Sequence, residues 1–434
     1  APGVGESQAE VAEVGERRRS AMGVLRRANP GGKMSGQYLY QLPWYMFVGA
    51  PGSGKTTALT HSGLQFPLRE AMGSGAIGGV GGTRHCDWWF TDEAVLLDTA
   101  GRYTTQDSYT EVDKAAWGGF LDLLKKYRRQ RPVNGVIVAL SVSDLLQQTE
   151  AQRQAQAVAI RARINELYER LGLRFPVYVI ITKCDLLAGF SEFFETFGRD
   201  ERAQVWGVTF PLAQPPQVET GLASFPGEFD ALERQLQRRV LERLQQERDL
   251  SRRALLYSFP QQFASLGDGL TRFLNTVFEA NRYQEPALLR GVYFTSGTQE
   301  GSPIDRVLTS LAASFGLGRK VLAPNVASGR SYFITRLLRE VIFKEAGLAG
   351  VNHQEQRRRR LLGRAGRMAA GVAFVLLLVG MTISYTRNLQ LIADASSAAT
   401  NVAQLAKALP AEGDVLVTLP LLNAARALPS GYSD

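Results

Sequence analysis

A chain of 434 residues is long enough for about two or three domains, and its 45% hydrophobic and 21% charged composition excludes wholesale disorder. The formal net charge of +9 does not point to a nucleic-acid-binding protein, because Arg357, Arg358, Arg359, Arg360, Arg364 and Arg367 concentrate much of the excess in one short block. Cys86 and Cys184 lie far apart with no CxxC or Cys/His spacing, which excludes a disulfide framework and a zinc site and fits a reducing compartment.

Nothing near Ala1 has the charged, apolar and small-residue succession of a secretory signal, so a processed chain or a fragment is expected. Residues 1–38 read as a helical preface, from the capping-box-like SQAE through ERRRSAMGVLRRA to the break NPGG. From residue 39 to 199, short apolar runs alternate with helical periodicity, the pattern of an α/β fold with a mostly parallel sheet. The expected strands are WYMFVG, DWWF, AVLLD, GVIVAL, VYVIIT and, after a helical insertion over 200–286, GVYFT in a returning core segment at 287–316. Residues 317–367 read as a helical juxtamembrane segment that ends in the arginine block.

Residues 368–386 carry no charge and as a helix rise about 28 Å, close to the thickness of a hydrocarbon core. This is read as a transmembrane helix. The arginines before it place residues up to about 367 in the cytoplasm and those after about 387 on the far side, as the start of a periplasmic region.

The stretch FVGAPGSGKTT fits the P-loop spacing, with an apolar run before it and a helical pattern after it. Gly49, Pro51, Gly52, Ser53 and Gly54 are expected to turn backbone N–H groups toward phosphates. Lys55 is expected at the β and γ phosphates, Thr56 at Mg²⁺, and Thr57 beside it among the residues that bind the nucleotide. In AVLLDTAG, Asp98 ends a strand where a carboxylate can hold Mg²⁺, and Gly101 can offer its N–H to the γ-phosphate. DWWF and AVLLD, joined by the turn TDEA, read as a hairpin alongside the Mg²⁺-holding strand. That hairpin resembles the Ras-like translation-factor class of GTPases, and the resemblance puts Thr83 in the matching switch loop, closing over Mg²⁺. VYVIITKCD resembles the guanine-reading motif, which implies Thr182 and Lys183 at the base, the Lys183 stem over the ring and Asp185 accepting from base donors. Ser296 and Gly297 follow a strand and could present N–H groups to the base carbonyl. His61 and His85 have no carboxylate or serine partner at a characteristic spacing and read as packing or surface residues.

Together QLPWYMFVGAPGSGKTTAL, GGTRHCDWWFTDEAVLLDTAGRY, VYVIITKCDLL and GVYFTSGTQEGSPIDR resemble the IcmF/TssM family, the inner-membrane component of type VI secretion systems. The resemblance implies a P-loop NTPase domain of the Ras-like GTPase type with a helical insertion, followed by a transmembrane helix, within a longer parent protein. It implies GTP or ATP with Mg²⁺ as ligands, and assembly into an oligomeric complex. The implied partners are the inner-membrane protein TssL, cytoplasmic baseplate proteins and the periplasmic lipoprotein TssJ. Two features depart from a GTPase. Arg102 stands where a water-orienting Gln is expected and cannot act as a base, and the interval from Asp185 to Ser296 is long. Slow hydrolysis is therefore expected, with a structural scaffold or a transport NTPase as the alternative readings.

Overall fold

Continuous apolar runs dictate the centre of the fold. Strands β1 (Trp44–Val48), β4 (Gly135–Ser141) and β5 (Pro176–Thr182) are buried at every position, as parallel strands covered on both faces must be. With β2 (Asp87–Phe90), β3 (Val95–Asp98), β6 (Gly207–Thr209) and β7 (Leu288–Phe294) they form one seven-stranded sheet in the order β2-β3-β1-β4-β5-β7-β6. The computed structural model describes residues 40–66, 86–105, 110–212, 218–279, 286–297, 330–350, 353–409 and 415–428, in two units divided after Glu355.

Strands β3, β1, β4, β5 and β7 run parallel, while β2 and β6 close the two edges antiparallel. All six strands expected from the sequence are present, and DWWF pairs with VLLD as the expected hairpin, Asp87 opposite Asp98. The added strand is β6. Its three residues are too short to show an alternation, and they lie in a stretch read as helical.

The period of two along each strand sorts the core into two layers. Trp44, Met46, Val48, Val136, Val138, Val177 and Val179 face one cluster, and Tyr45, Phe47, Ile137, Ala139, Tyr178 and Ile180 face the other. On the first face pack α3 (Thr110–Tyr127) and α5 (Glu150–Leu171), which follow α1 (Lys55–Thr60), the one-turn α2 (Arg102–Thr105) and α4 (Val142–Gln147). In α3, Trp117, Phe120, Leu121 and Leu124 repeat at three and four residues and all are buried. Helix α5 is bounded by a Thr149/Gln152 capping box and by Gly172 in the left-handed conformation.

The same face carries α8 (Val218–Gln246), α9 (Leu250–Ala264) and α10 (Gly267–Phe278), which come after α6 (Phe190–Phe194) and α7 (Arg199–Arg202). Phe225, Phe229, Leu236 and Val240 make the buried stripe of α8, and Phe229 stacks on Phe263 with ring centroids 4.7 Å apart.

The second face is covered by α1 and by a returning segment in which Leu337–Ile342 forms a π-helical turn. This segment is pinned to the sheet by polar bonds. Tyr45 Oη donates to the Ile342 carbonyl at 2.5 Å and Tyr178 Oη to Glu345 Oε2 at 2.7 Å. Arg290 on β7 holds both oxygens of Glu345, at 2.5 and 3.0 Å, and also donates to the Phe210 carbonyl. The Arg290 side chain is only 6% exposed and that of Glu345 20%.

The second unit continues α11 (His353–Lys407) and ends with α12 (Leu419–Arg426). Among the described residues α11 is the one helix long and apolar enough to cross a membrane, with a mean hydropathy of 2.0 in its most apolar window. It does not end with the charge-free run at Thr386 but continues to Lys407, about 30 Å further.

Removing one member of a buried ion pair leaves the other charge uncompensated, at a cost of about 3–5 kcal/mol. Glu345→Ala is therefore expected to lower unfolding stability by about that amount, and Arg290→Met in the same chain should restore most of it. Urea denaturation of the detergent-solubilised protein measures both.

Candidate functional site

Parallel strands end on the same edge, and that edge gathers the motifs. Past Val48 the chain turns through residues 49–54 into α1, with Gly52 at φ 74° and Gly54 at φ 79°, both left-handed. Gly49 meets a different constraint. A Cβ there would lie 2.5 Å from the Ala139 carbonyl oxygen, so β4 passes too close for any side chain.

Lys55 is buried at the mouth of α1, and its Nζ donates to the carbonyls of Gly49 and Ala50 at 2.7 and 3.0 Å and to Ser53 Oγ at 3.3 Å. Burial pushes its pKa down to about 8, against the opposing pull of Asp98 and Asp144. Thr56 Oγ1 donates to Asp98 Oδ2 at 2.5 Å, and Asp98 is fully buried at the end of β3.

The turn after Asp98 lies directly on the loop. A Cβ on Gly101 would come 2.3 Å from the Pro51 nitrogen, and the Gly49 N–H donates to Thr104 Oγ1 at 3.2 Å. Arg102 opens α2 with its guanidinium 5.2 Å from the Tyr103 ring centroid. Thr83 lies outside the described residues.

The second group of motif residues joins the first. Thr182 Oγ1 donates to the Ser53 carbonyl at 2.7 Å, bracing the loop from β5. Lys183 adopts φ 58°, an uncommon conformation for a non-glycine residue, and its Cε is 3.8 Å from where a Gly54 Cβ would stand. Asp185, buried in the turn Cys184–Leu186, accepts a 2.7 Å bond from Ser296 Oγ. Ser296 is held by a two-way backbone pairing with Tyr332 at 2.8 and 3.1 Å. Gly297 closes the ring, since its Cβ position is 3.1 Å from Thr57 Cγ2.

Thr104 and Asp144 belong to this site, although the motif reading passed over them. Asp144 sits in the first turn of α4, its N–H donating to the Ser141 cap at 3.1 Å. The available signal was its place just past the end of an apolar strand, where ligand sites of open α/β sheets gather.

The donor set suits a phosphate ligand with a hard cation. Left-handed glycines, an ammonium and a hydroxyl paired with a carboxylate share one edge. Among the described residues no cluster of three or more His, Cys, Asp or Glu side chains is present, so a cation here would take its remaining oxygens from ligand and water, as Mg²⁺ commonly does.

A family model described as the IcmF-related N-terminal domain matches residues 110–370, more than half of the chain. The chain belongs to the IcmF/TssM family. The match takes in Thr182, Lys183, Asp185 and Ser296 and ends inside the apolar run of α11, whereas residues 49–56 and 98–102 precede it. A relative in this family, the type VI secretion system component TssM1 of Pseudomonas aeruginosa, is 56% identical over 421 residues, which is 96% of this chain and 38% of that protein. The chain thus spans well under half the length of that IcmF/TssM relative.

Lysine burial gives a pH signature. Unfolded, Lys55 titrates near its ordinary 10.5; folded, it titrates near 8. Between those values the unfolded chain binds the extra proton, so stability rises with pH there. In the ligand-free protein the unfolding free energy of wild type relative to Lys55→Met is expected to increase from pH 7.5 to pH 10, by urea denaturation at each pH.

Proposed function

We propose that residues 39–316 form a nucleotide-binding domain of the Ras-like P-loop type, carrying a helical insertion over about 200–286. In this reading the domain is the cytoplasmic part of a type VI secretion membrane complex in the bacterial inner membrane. The supporting observation is the convergence of the loop at 49–56, the Asp98–Gly101 turn, Thr182–Asp185 and Ser296 on one sheet edge. Membership of the IcmF/TssM family and a helix of membrane-spanning length give the setting.

The ligand of this reading is GTP or ATP with Mg²⁺. Lys55 would leave the carbonyls of its own loop for the β and γ phosphates, and Thr56 and Asp98, with Thr83 outside the described residues, would hold the metal. Gly101 would donate its N–H to the terminal phosphate. Asp185 and Ser296 would read the base, with the Lys183 stem beside it. Arg102 carries a permanent charge and cannot take a proton from water, so hydrolysis is slow unless a partner completes the site. Nucleotide state would bias the Asp98–Arg102 turn and through it the docking of TssL or baseplate proteins. In this reading the arginine block at 357–367 would keep the domain on the cytoplasmic side, with the helix after 368 in the membrane and residues beyond about 387 in the periplasm, toward the part of the parent protein that would meet TssJ.

One observation favours a second reading, a scaffold with a vestigial loop. Lys55 is satisfied by its own loop, and Asp185 by Ser296. Direct measurement separates the two. Nucleotide binding by the wild-type chain, lost in Lys55→Ala with membrane insertion intact, is the expected result. Asp185→Asn should favour xanthosine over guanosine nucleotides, by about 1–3 kcal/mol. Single turnover should fall far below the rate of about 1–10³ s⁻¹ typical of enzymes. Absence of nucleotide binding by wild type would leave the scaffold, and several turnovers per second by the isolated chain would point to a transport NTPase.

A further inference from the structure

At the opposite ends of β1 and β4, about 16 Å from the phosphate loop along β1, lies a pocket of about 450 Å³. Tyr40, Arg128, Gln130, Arg131 and Asn134 line it, with the backbone of Ala346 and Gly347. None of these residues belongs to the nucleotide-type site.

Arg128 is 1% exposed. Its guanidinium lies over two rings, 5.0 Å from the Tyr40 centroid and 4.8 Å from that of Trp44. It donates to Asn134 Oδ1 at 3.1 Å and to the Leu42 carbonyl at 3.3 Å, while its Nε has no acceptor among the described residues. Asn134 is itself fixed, accepting from the Trp44 N–H at 2.9 Å and donating to the Ala346 carbonyl at 2.9 Å. Tyr40 Oη accepts from the Gln130 N–H at 3.2 Å.

No carboxylate pairs with Arg128 or with Arg131 among the described residues, although eight other arginines there have ion-pair partners. Buried charges are ordinarily paired. Here a second arginine, Arg131, partly buried, is placed beside the first instead of an acid. Burial pushes the Arg128 pKa down to about 9, with Tyr40 opposing the shift and Arg131 adding to it, so at neutral pH the charge persists and needs a counter-ion. Guanidinium groups suit planar or tetrahedral oxyanions.

We propose that this pocket binds a small oxyanion, a carboxylate- or phosphate-bearing ligand, between Arg128 and Arg131. The site is independent of the nucleotide reading, because Lys55 lies at the other end of the strands.

The test is calorimetric titration of the full chain in detergent with inorganic phosphate and with citrate, at ionic strength matched by chloride. All titrations use the Lys55→Ala background, which removes the loop as a competing phosphate site. Saturable binding of either anion is expected, with the dissociation constant raised about tenfold or more by Arg131→Ala and partly restored by Arg131→Lys. Arg131 is chosen because it is not packed in the core, and an unchanged melting temperature of Arg131→Ala would show that the fold survives. Binding that ignores Arg131, or no saturable binding of either anion, would overturn the proposal. Binding of a tetraglutamate peptide without any affinity for phosphate or citrate would equally overturn it, in favour of a protein partner.

Discussion

Everything in the first unit depends on the double-sided burial of β1 between β3 and β4. A strand enclosed on both faces and both edges can place no polar side chain along its length without a partner; its five residues are all buried, and the one hydroxyl among them, that of Tyr45, is taken up by the Ile342 carbonyl. Chemistry can therefore appear only at its ends. Because the neighbouring strands run parallel, the C-terminal ends of β1, β3, β5 and β7 deliver Lys55, Asp98, Asp185 and Ser296 to one edge. The N-terminal ends deliver Tyr40 and Asn134 to the other. The close approaches at that first edge follow from the same enclosure. Gly49 is a glycine because β4 crowds it, and Gly101 because the β3 turn lies on the loop.

The sequence was most legible where one physical signal acted alone. Apolar runs wrote themselves as strands, most plainly in the fully buried β1, β4 and β5, and all six expected strands appear. The phosphate-loop spacing likewise predicted a strand, a glycine turn and a helix, which is the local structure found from Trp44 to Thr60. Two signals were too weak. Three residues cannot display a period, so β6 was missed, and Asp144 carries no motif of its own, so its pull on Lys55 becomes visible only when β4 is placed beside β1. Thr182 shows a further limit. Its position resembles a base-reading motif, yet its hydroxyl donates to the Ser53 carbonyl, a brace between the end of β5 and a loop 129 residues away. The pairing of Arg290 with Glu345 was equally hidden, because both look like ordinary surface charges until the returning segment folds onto the second face.

That segment matters beyond its packing. Residues 334–350 supply the inner layer of the second face and lead within a few residues to the start of α11 at His353. Their attachments include Tyr45, Tyr178 and Arg290, each from a different strand, and Asn134, which holds the Ala346 carbonyl. Any change in the twist or spacing of β1, β5 and β7 would therefore be felt by this segment, whereas a single tether could swivel.

Helix α3 supplies a second line across the sheet. It comes after the Asp98–Thr105 turn in the chain and ends at Tyr127, next to Arg128, so its 18 residues, about 27 Å, run between the two edges as one element. The two edges differ in how they hold positive charge. Lys55 is buried, but Asp98 and Asp144 offset part of the penalty, and the amine can release its proton near pH 8. Arg128 is buried without a carboxylate partner among the described residues, and a guanidinium is the group least able to discharge. Stacking on Tyr40 and Trp44 supplies some compensation, since cation–π contacts strengthen when water is removed. It satisfies the faces of the guanidinium but not the Nε at its edge. The lysine edge thus has carboxylates among the described residues to offset its charge, whereas at the arginine edge the described residues supply none, which is why an anionic ligand is proposed there.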